Sequence, residues 1–181
     1  MNERQLAFKI LNKIERDNAY SNLTLDAALR ENAAASASSA FVTALVYGVT
    51  ERKITLDFIL SRYLTKPLKK LRPEVLTVLR LGAFQLCFMD KVPASAAVNE
   101  SVKLVKSCGC AYASGLVNSV LRKVAKDGFT YEKTGDTTRD FSIMYSCPEA
   151  LINKFIEDYG EEKTEKILSS SIGARPVTAR V

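Results

Sequence analysis

The sequence predicts an all-α protein: a compact bundle of about seven helices followed by a short helical appendage. Three observations carry that expectation. Apolar residues recur at three- and four-residue spacing along nearly the whole chain, as amphipathic helices require. Proline and glycine are sparse, at 5 and 8 in 181 residues, and most of them separate periodic stretches. A hydrophobic fraction of 47% with 25% charged residues is ordinary for a globular domain able to bury a core.

Leu6, Ala7, Ile10, Leu11 and Ile14 make the first stripe. Leu23, Leu25, Ala28 and Leu29 suggest a second, short helix. Residues 33–40 contain only Ala and Ser, and read as a loop leading into a helix start. Phe41, Val42, Leu45, Val46 and Val49 form a strong stripe, with Gly48 inside it where two backbones are expected to approach closely. Leu56, Ile59, Leu60, Tyr63 and Leu64 continue to Lys66-Pro67, which ends that helix. Pro73 opens the next at its first turn, where a missing N–H costs little. From Val75 to Phe88 this helix is apolar nearly all round, which marks it as the central, buried one. Pro93 starts another, and Gly109 breaks it. Leu116, Val117, Val120, Leu121 and Val124 complete the bundle, closed by Asp127-Gly128.

The stretch from Gly128 to Asp140 is polar and turn-rich, so domains are expected at 1–127 and 128–181. Ser146-Cys147-Pro148-Glu149 reads as a helix start with a capping Ser and an acid at the positive end of the dipole. Tyr159-Gly160 stops that helix, and Glu161–Ser171 reads as one more. Arg175–Val181 has a strand pattern, and a lone strand needs partners.

Charge and composition narrow the function. Net charge is +6 and is uneven: residues 1–127 hold 19 Lys and Arg against 11 Asp and Glu, whereas 128–181 hold 7 against 9. A basic body suggests a polyanionic partner. His is absent, which removes the commonest general base and metal ligand. No Gly-rich phosphate loop is present. Cys108-Gly109-Cys110 is a lone pair of thiols, short of the four ligands a zinc site needs, and reads as two small residues at a tight turn. No catalytic, cofactor-binding or metal residues are therefore expected. Without an apolar secretory segment or membrane-length run, the expected compartment is the cytoplasm, with the four cysteines reduced.

Between Glu51 and Arg72 stand seven cations, opposed only by Glu51 and Asp57. Arg52, Lys53, Lys66, Lys69, Lys70 and Arg72 are the candidates for an RNA surface, with the last four on a mobile loop that could follow a phosphate backbone. A solvated loop would read the same way. Contacts are expected mainly to phosphates, since no row of aromatics is available for stacking. Polar residues within apolar stripes invite a structural role. Arg80 and Glu100 are expected to form a buried ion pair, and Asn118 to bond a helix end or Asn99.

Several of these residues carry a resemblance. Val78-Leu79-Arg80-Leu81-Gly82, Val92-Pro93-Ala94-Ser95-Ala96-Ala97-Val98-Asn99-Glu100 and Gly115-Leu116-Val117-Asn118-Ser119-Val120-Leu121-Arg122-Lys123 resemble, in order and spacing, the signature blocks of the NusB-like RNA-binding domain. Arg4 to Leu11 is similar to that domain's first helix. Two later segments, Tyr145-Ser146-Cys147-Pro148-Glu149-Ala150-Leu151-Ile152 and Arg175–Val181, resemble the region C-terminal to this domain in bacterial 16S ribosomal RNA (cytosine-C5)-methyltransferases of the RsmB/Sun/Fmu family. The second of them is similar to the opening strand of the linker domain in those enzymes.

The resemblance implies an RNA-binding N-terminal module that positions ribosomal RNA for a catalytic domain lying beyond this sequence. S-adenosylmethionine would be the cofactor of the parent protein alone. It also brings Arg4 into the RNA surface, because the family uses basic residues at the start of its first helix. Neither DNA nor a membrane is expected as a partner. Two alternatives stay open: a free-standing NusB-type antitermination factor, and a protein-interaction or dimerisation bundle.

Overall fold

The computed structural model describes residues 2–31 and 39–172 of the chain. Ten α-helices are found among them, and no strand. The strand pattern at Arg175–Val181 and most of the Ala/Ser stretch lie outside the described residues. The chain forms two compact units, Met1–Thr130 and Tyr131–Val181.

The first unit holds α1 (Glu3–Asp17), α2 (Ser21–Glu31), α3 (Ser39–Glu51), α4 (Lys53–Ser61), α5 (Pro73–Phe88), α6 (Ala94–Ser107) and α7 (Ser114–Asp127). A capping box starts α1: the Asn2 side chain accepts from the Gln5 amide at 2.9 Å, and Gln5 Oε1 accepts from the Asn2 amide at 3.0 Å, satisfying two otherwise unpaired donors. Pro73 is the first residue of α5. That helix packs against α1, α3, α4, α6 and α7, and Thr77 to Gln85 are buried without a break. This is the reason its sequence shows no polar face. Leu45, Leu56, Ile59, Leu60, Leu79, Leu81 and Leu121 are the large side chains at the centre.

Several expectations change in the structure. Helix α4 ends at Ser61, short of Lys66-Pro67, leaving Tyr63 and Leu64 half-buried on the following loop. Gly48 admits a ring and not a second backbone: a Cβ there would lie 1.9 Å from Phe84 Cζ. Arg80 does not pair with Glu100. Its guanidinium makes a two-pronged bond to Asp57 of α4, at 2.7 and 2.8 Å, and faces Glu15 of α1 at 3.6 Å. Glu100 instead accepts from Lys103 one turn along its own helix, and Asn118 likewise accepts from Arg122. Asn99 is exposed. The rotation of α6 turns Asn99 outward and leaves Glu100 at the rim, so α4 and α1 supply the anions that Arg80 needs.

The second unit holds α8 (Thr137–Tyr145), α9 (Glu149–Tyr159) and α10 (Glu161–Ser171), packed on one another. Helix α8 begins inside the stretch read as turns: its first four residues, Thr137 to Asp140, are helical. Asp136 caps it by accepting from the Arg139 amide. Ser146 does not cap α9: it closes α8 in the left-handed conformation, at φ 51°. The buried apolar side chains among the described residues of this unit are few: Phe141, Ile152 and Leu168, which cluster together, and Ile143.

Candidate nucleic-acid interface

The loop between α4 and α5 brings four of the candidate cations together. Lys66, Lys69, Lys70 and Arg72 are all exposed. The loop is anchored rather than free-running. A single 3-10 turn, Leu68–Lys70, is held by bonds from the Lys70 and Leu71 amides to Pro67 and Leu68. Leu64, Leu68 and Leu71 pack inward against the main core. Three leucines thus fix the backbone while the charges between them face water. Arg72 is the last residue before α5 and bonds loosely to Glu74, at 3.3 Å; that bond raises the guanidinium pKa further.

The other three candidates are occupied within the bundle. Arg4 donates to Oε1 of the buried Gln85 at 2.7 Å and lies over the Phe41 ring at 5.1 Å, tying α1 to α5 and α3. Arg52 sits 4.3 Å above the Phe88 ring, and burial lowers its pKa. Lys53 is bound to Glu15 at 2.6 Å, the carboxylate that also faces Arg80. Each can offer part of its charge outward, as can Arg72 beside Glu74, whereas Lys66, Lys69 and Lys70 face water.

A feature that sequence reasoning missed adjoins the loop. Between it and the start of α7 lies a cleft of about 330 Å³, lined by Lys66, Lys70 and Arg72 on one side and by Tyr112, Ala113 and Leu116 on the other. Tyr112 is 71% exposed and Leu116 38%. Some forty residues separate Tyr112 from the loop, and a single tyrosine gives no periodic signal. Its place beside a broken helix was the available cue.

Three of the cysteine thiols are held away from the thiolate form. Burial pushes Cys87 up to about 11 and also raises Cys108 and Cys147, which favours the neutral, weakly nucleophilic form. Among the described residues no cluster of His, Cys, Asp or Glu could hold a metal ion. No helix among them is long and apolar enough to cross a membrane.

The model of the NusB family matches residues 1–126. The chain is 34% identical over 165 residues to a probable ribosomal RNA small subunit methyltransferase B of Bacillus subtilis, covering 91% of this chain and 37% of that protein. It is 36% identical over 169 residues to the Synechocystis protein of the same description, with the same coverage. It is also 36% identical over 129 residues to the transcription antitermination protein NusB of Latilactobacillus sakei, covering 66% of this chain and 91% of that protein. The solved structure of T. maritima NusB superposes with a TM-score of 0.64 at 26% identity, over 70% of this chain and 89% of that one. The chain therefore spans little more than a third of the methyltransferases it resembles and nearly all of the antitermination protein.

Proposed function

The chain belongs to the NusB family over residues 1–126, and on that premise we propose that it is the RNA-binding N-terminal module of a ribosomal RNA cytosine-C5 methyltransferase. The observation that carries this reading is the reach of the two kinds of relative. Similarity to the methyltransferases extends over 91% of the chain. Similarity to the antitermination protein covers 66%, which leaves most of the second unit unmatched. Helices α8–α10 are the part that a free-standing factor does not account for.

In this reading the α4–α5 loop meets RNA phosphates through Lys66, Lys69, Lys70 and Arg72, with Arg4, Arg52 and Lys53 contributing at the margin. The bundle holds ribosomal RNA in the cytoplasm, and a catalytic domain in cis carries S-adenosylmethionine and the chemistry. The residues present fit a docking role: exposed cations on a loop whose backbone is anchored by three leucines.

The test is to titrate the chain with small-subunit ribosomal RNA fragments and with duplex DNA of equal length. Preference for RNA, with no stoichiometric micromolar heat of S-adenosylmethionine binding by calorimetry, is the expected outcome. Equal affinity for the two nucleic acids, or a tight cofactor site, would contradict it.

A further inference from the structure

We propose that the cleft between the α4–α5 loop and the start of α7 is a slot for one unstacked RNA base, with the Tyr112 ring as its stacking wall. This rests on reading the loop as an RNA surface and deepens it: the site would select exposed bases as well as follow phosphates.

Three observations support the slot. The first is how Tyr112 is presented. It sits on a single 3-10 turn, Ala111–Ala113, close to two residues that are sunk in the protein, Cys110 at 0% and Ala113 at 4% exposure. The Cys110 amide bonds to Val105 and the Ala113 amide to Cys110, at 3.1 and 2.9 Å. The backbone is therefore pinned on both sides while the ring stands in water. An aromatic on an anchored turn loses little freedom when a flat partner covers it, and the apolar area it exposes is unsatisfied until one does.

The second is the chemistry of the lining. Leu71, Val75, Ala113 and Leu116 make the inner surface apolar, Lys66, Lys70 and Arg72 stand at the lip, and no lining residue is acidic. A base has a π-face that stacks on an aromatic ring and a phosphate on each side that needs a cation. An apolar peptide would use the inner surface and waste the cations; a duplex would use the cations and leave the ring bare, because its bases are already stacked.

The third is size. At about 330 Å³ the cleft lies near the lower end of the roughly 300–1,000 Å³ found for small-ligand clefts. That suits one flat heterocycle.

The absence of tryptophan from the sequence makes the slot directly observable. Tyr112→Trp places a lone indole there. Its emission should be quenched on titration with a short single-stranded RNA and left unmoved by a blunt RNA duplex. Tyr112→Ala should weaken single-strand binding roughly tenfold without changing the salt dependence, whereas Tyr112→Phe should bind as the parent does. Because Tyr112 is exposed, unchanged circular dichroism is expected for all three. If Tyr112→Ala binds as tightly as the parent, or loses duplex and single strand alike, or if saturating RNA leaves the indole emission unmoved, the slot is wrong although the loop can still bind phosphates. If the parent chain binds no RNA at all, the slot and the proposed function fail together.

Discussion

Arg80 is buried on α5, and carboxylates from two other helices reach its guanidinium: Asp57 at 2.7 Å and Glu15 at 3.6 Å. A buried guanidinium deprived of its partner retains the desolvation cost without the compensation. Asp57→Asn should therefore destabilise the bundle by about 3 kcal/mol, at the lower end of the usual range because Glu15 remains. Glu100→Gln should change stability by less than ~0.5 kcal/mol, as surface substitutions do. Denaturant midpoints of the two variants check both; equal effects would contradict the pairing. The sequence shows that Arg80 needs an anion, since it stands in an apolar stripe. It does not show which anion, because that depends on how α4, α5 and α6 are rotated about their axes. Gly48 gives a second case. Its place in a stripe signals a close approach, but the approaching group, the Phe84 ring, depends on the crossing of α3 and α5. Gly48→Ala should cost roughly 1–3 kcal/mol through overpacking, measured the same way, and a stabilised variant would show that Phe84 moves aside freely.

Helix α8 depends on a polar contact that periodicity does not reveal. Asp140 is buried at 3% exposure and accepts from the Tyr131 hydroxyl at 2.6 Å, from the Thr134 amide and hydroxyl, and from the Gly135 amide. In sequence it is one acid among polar neighbours, which is why the stretch reads as turns. The Tyr131 hydroxyl foremost, with the Thr134 and Gly135 donors, holds the carboxyl down at about 2. A depressed folded-state value means that the contribution to stability is complete above the ordinary aspartate range and fades as pH falls from about 4 toward 2. An acid titration followed by hydrogen exchange in α8 should show that loss, and Asp140→Asn should flatten it; an identical acid limb in the variant would contradict the assignment. Among its described residues the second unit buries four large apolar side chains, Phe141, Ile143, Ile152 and Leu168, against a far more extensive core in the first. Amides of α8–α10 should exchange faster than those of α5, and uniform protection would count against two separate units.

At the scale of the molecule, the helical body is largely legible because apolar spacing, Pro73, Gly128 and Gly160 each act locally. The candidate interface is legible only in part. Lys66, Lys69, Lys70 and Arg72 are neighbours in sequence and stay so in space. Arg52 and Lys53 look as available on paper, and Arg4 enters through the resemblance, yet Phe88, Glu15 and Gln85 engage them, and Tyr112 joins the loop only through the fold. An exposed cation on a polyanion acts by releasing counterions, so its contribution appears in the salt dependence as well as in affinity. On single strands each phosphate contact adds about 0.7 to the slope of log K against log salt. Replacing Lys66, Lys69, Lys70 and Arg72 together by Gln, and titrating with a ribosomal RNA fragment across salt concentrations, measures the central claim directly. The account predicts weaker binding to all RNAs and a slope shallower by about 3; unchanged affinity with an unchanged slope would contradict it and put the RNA elsewhere.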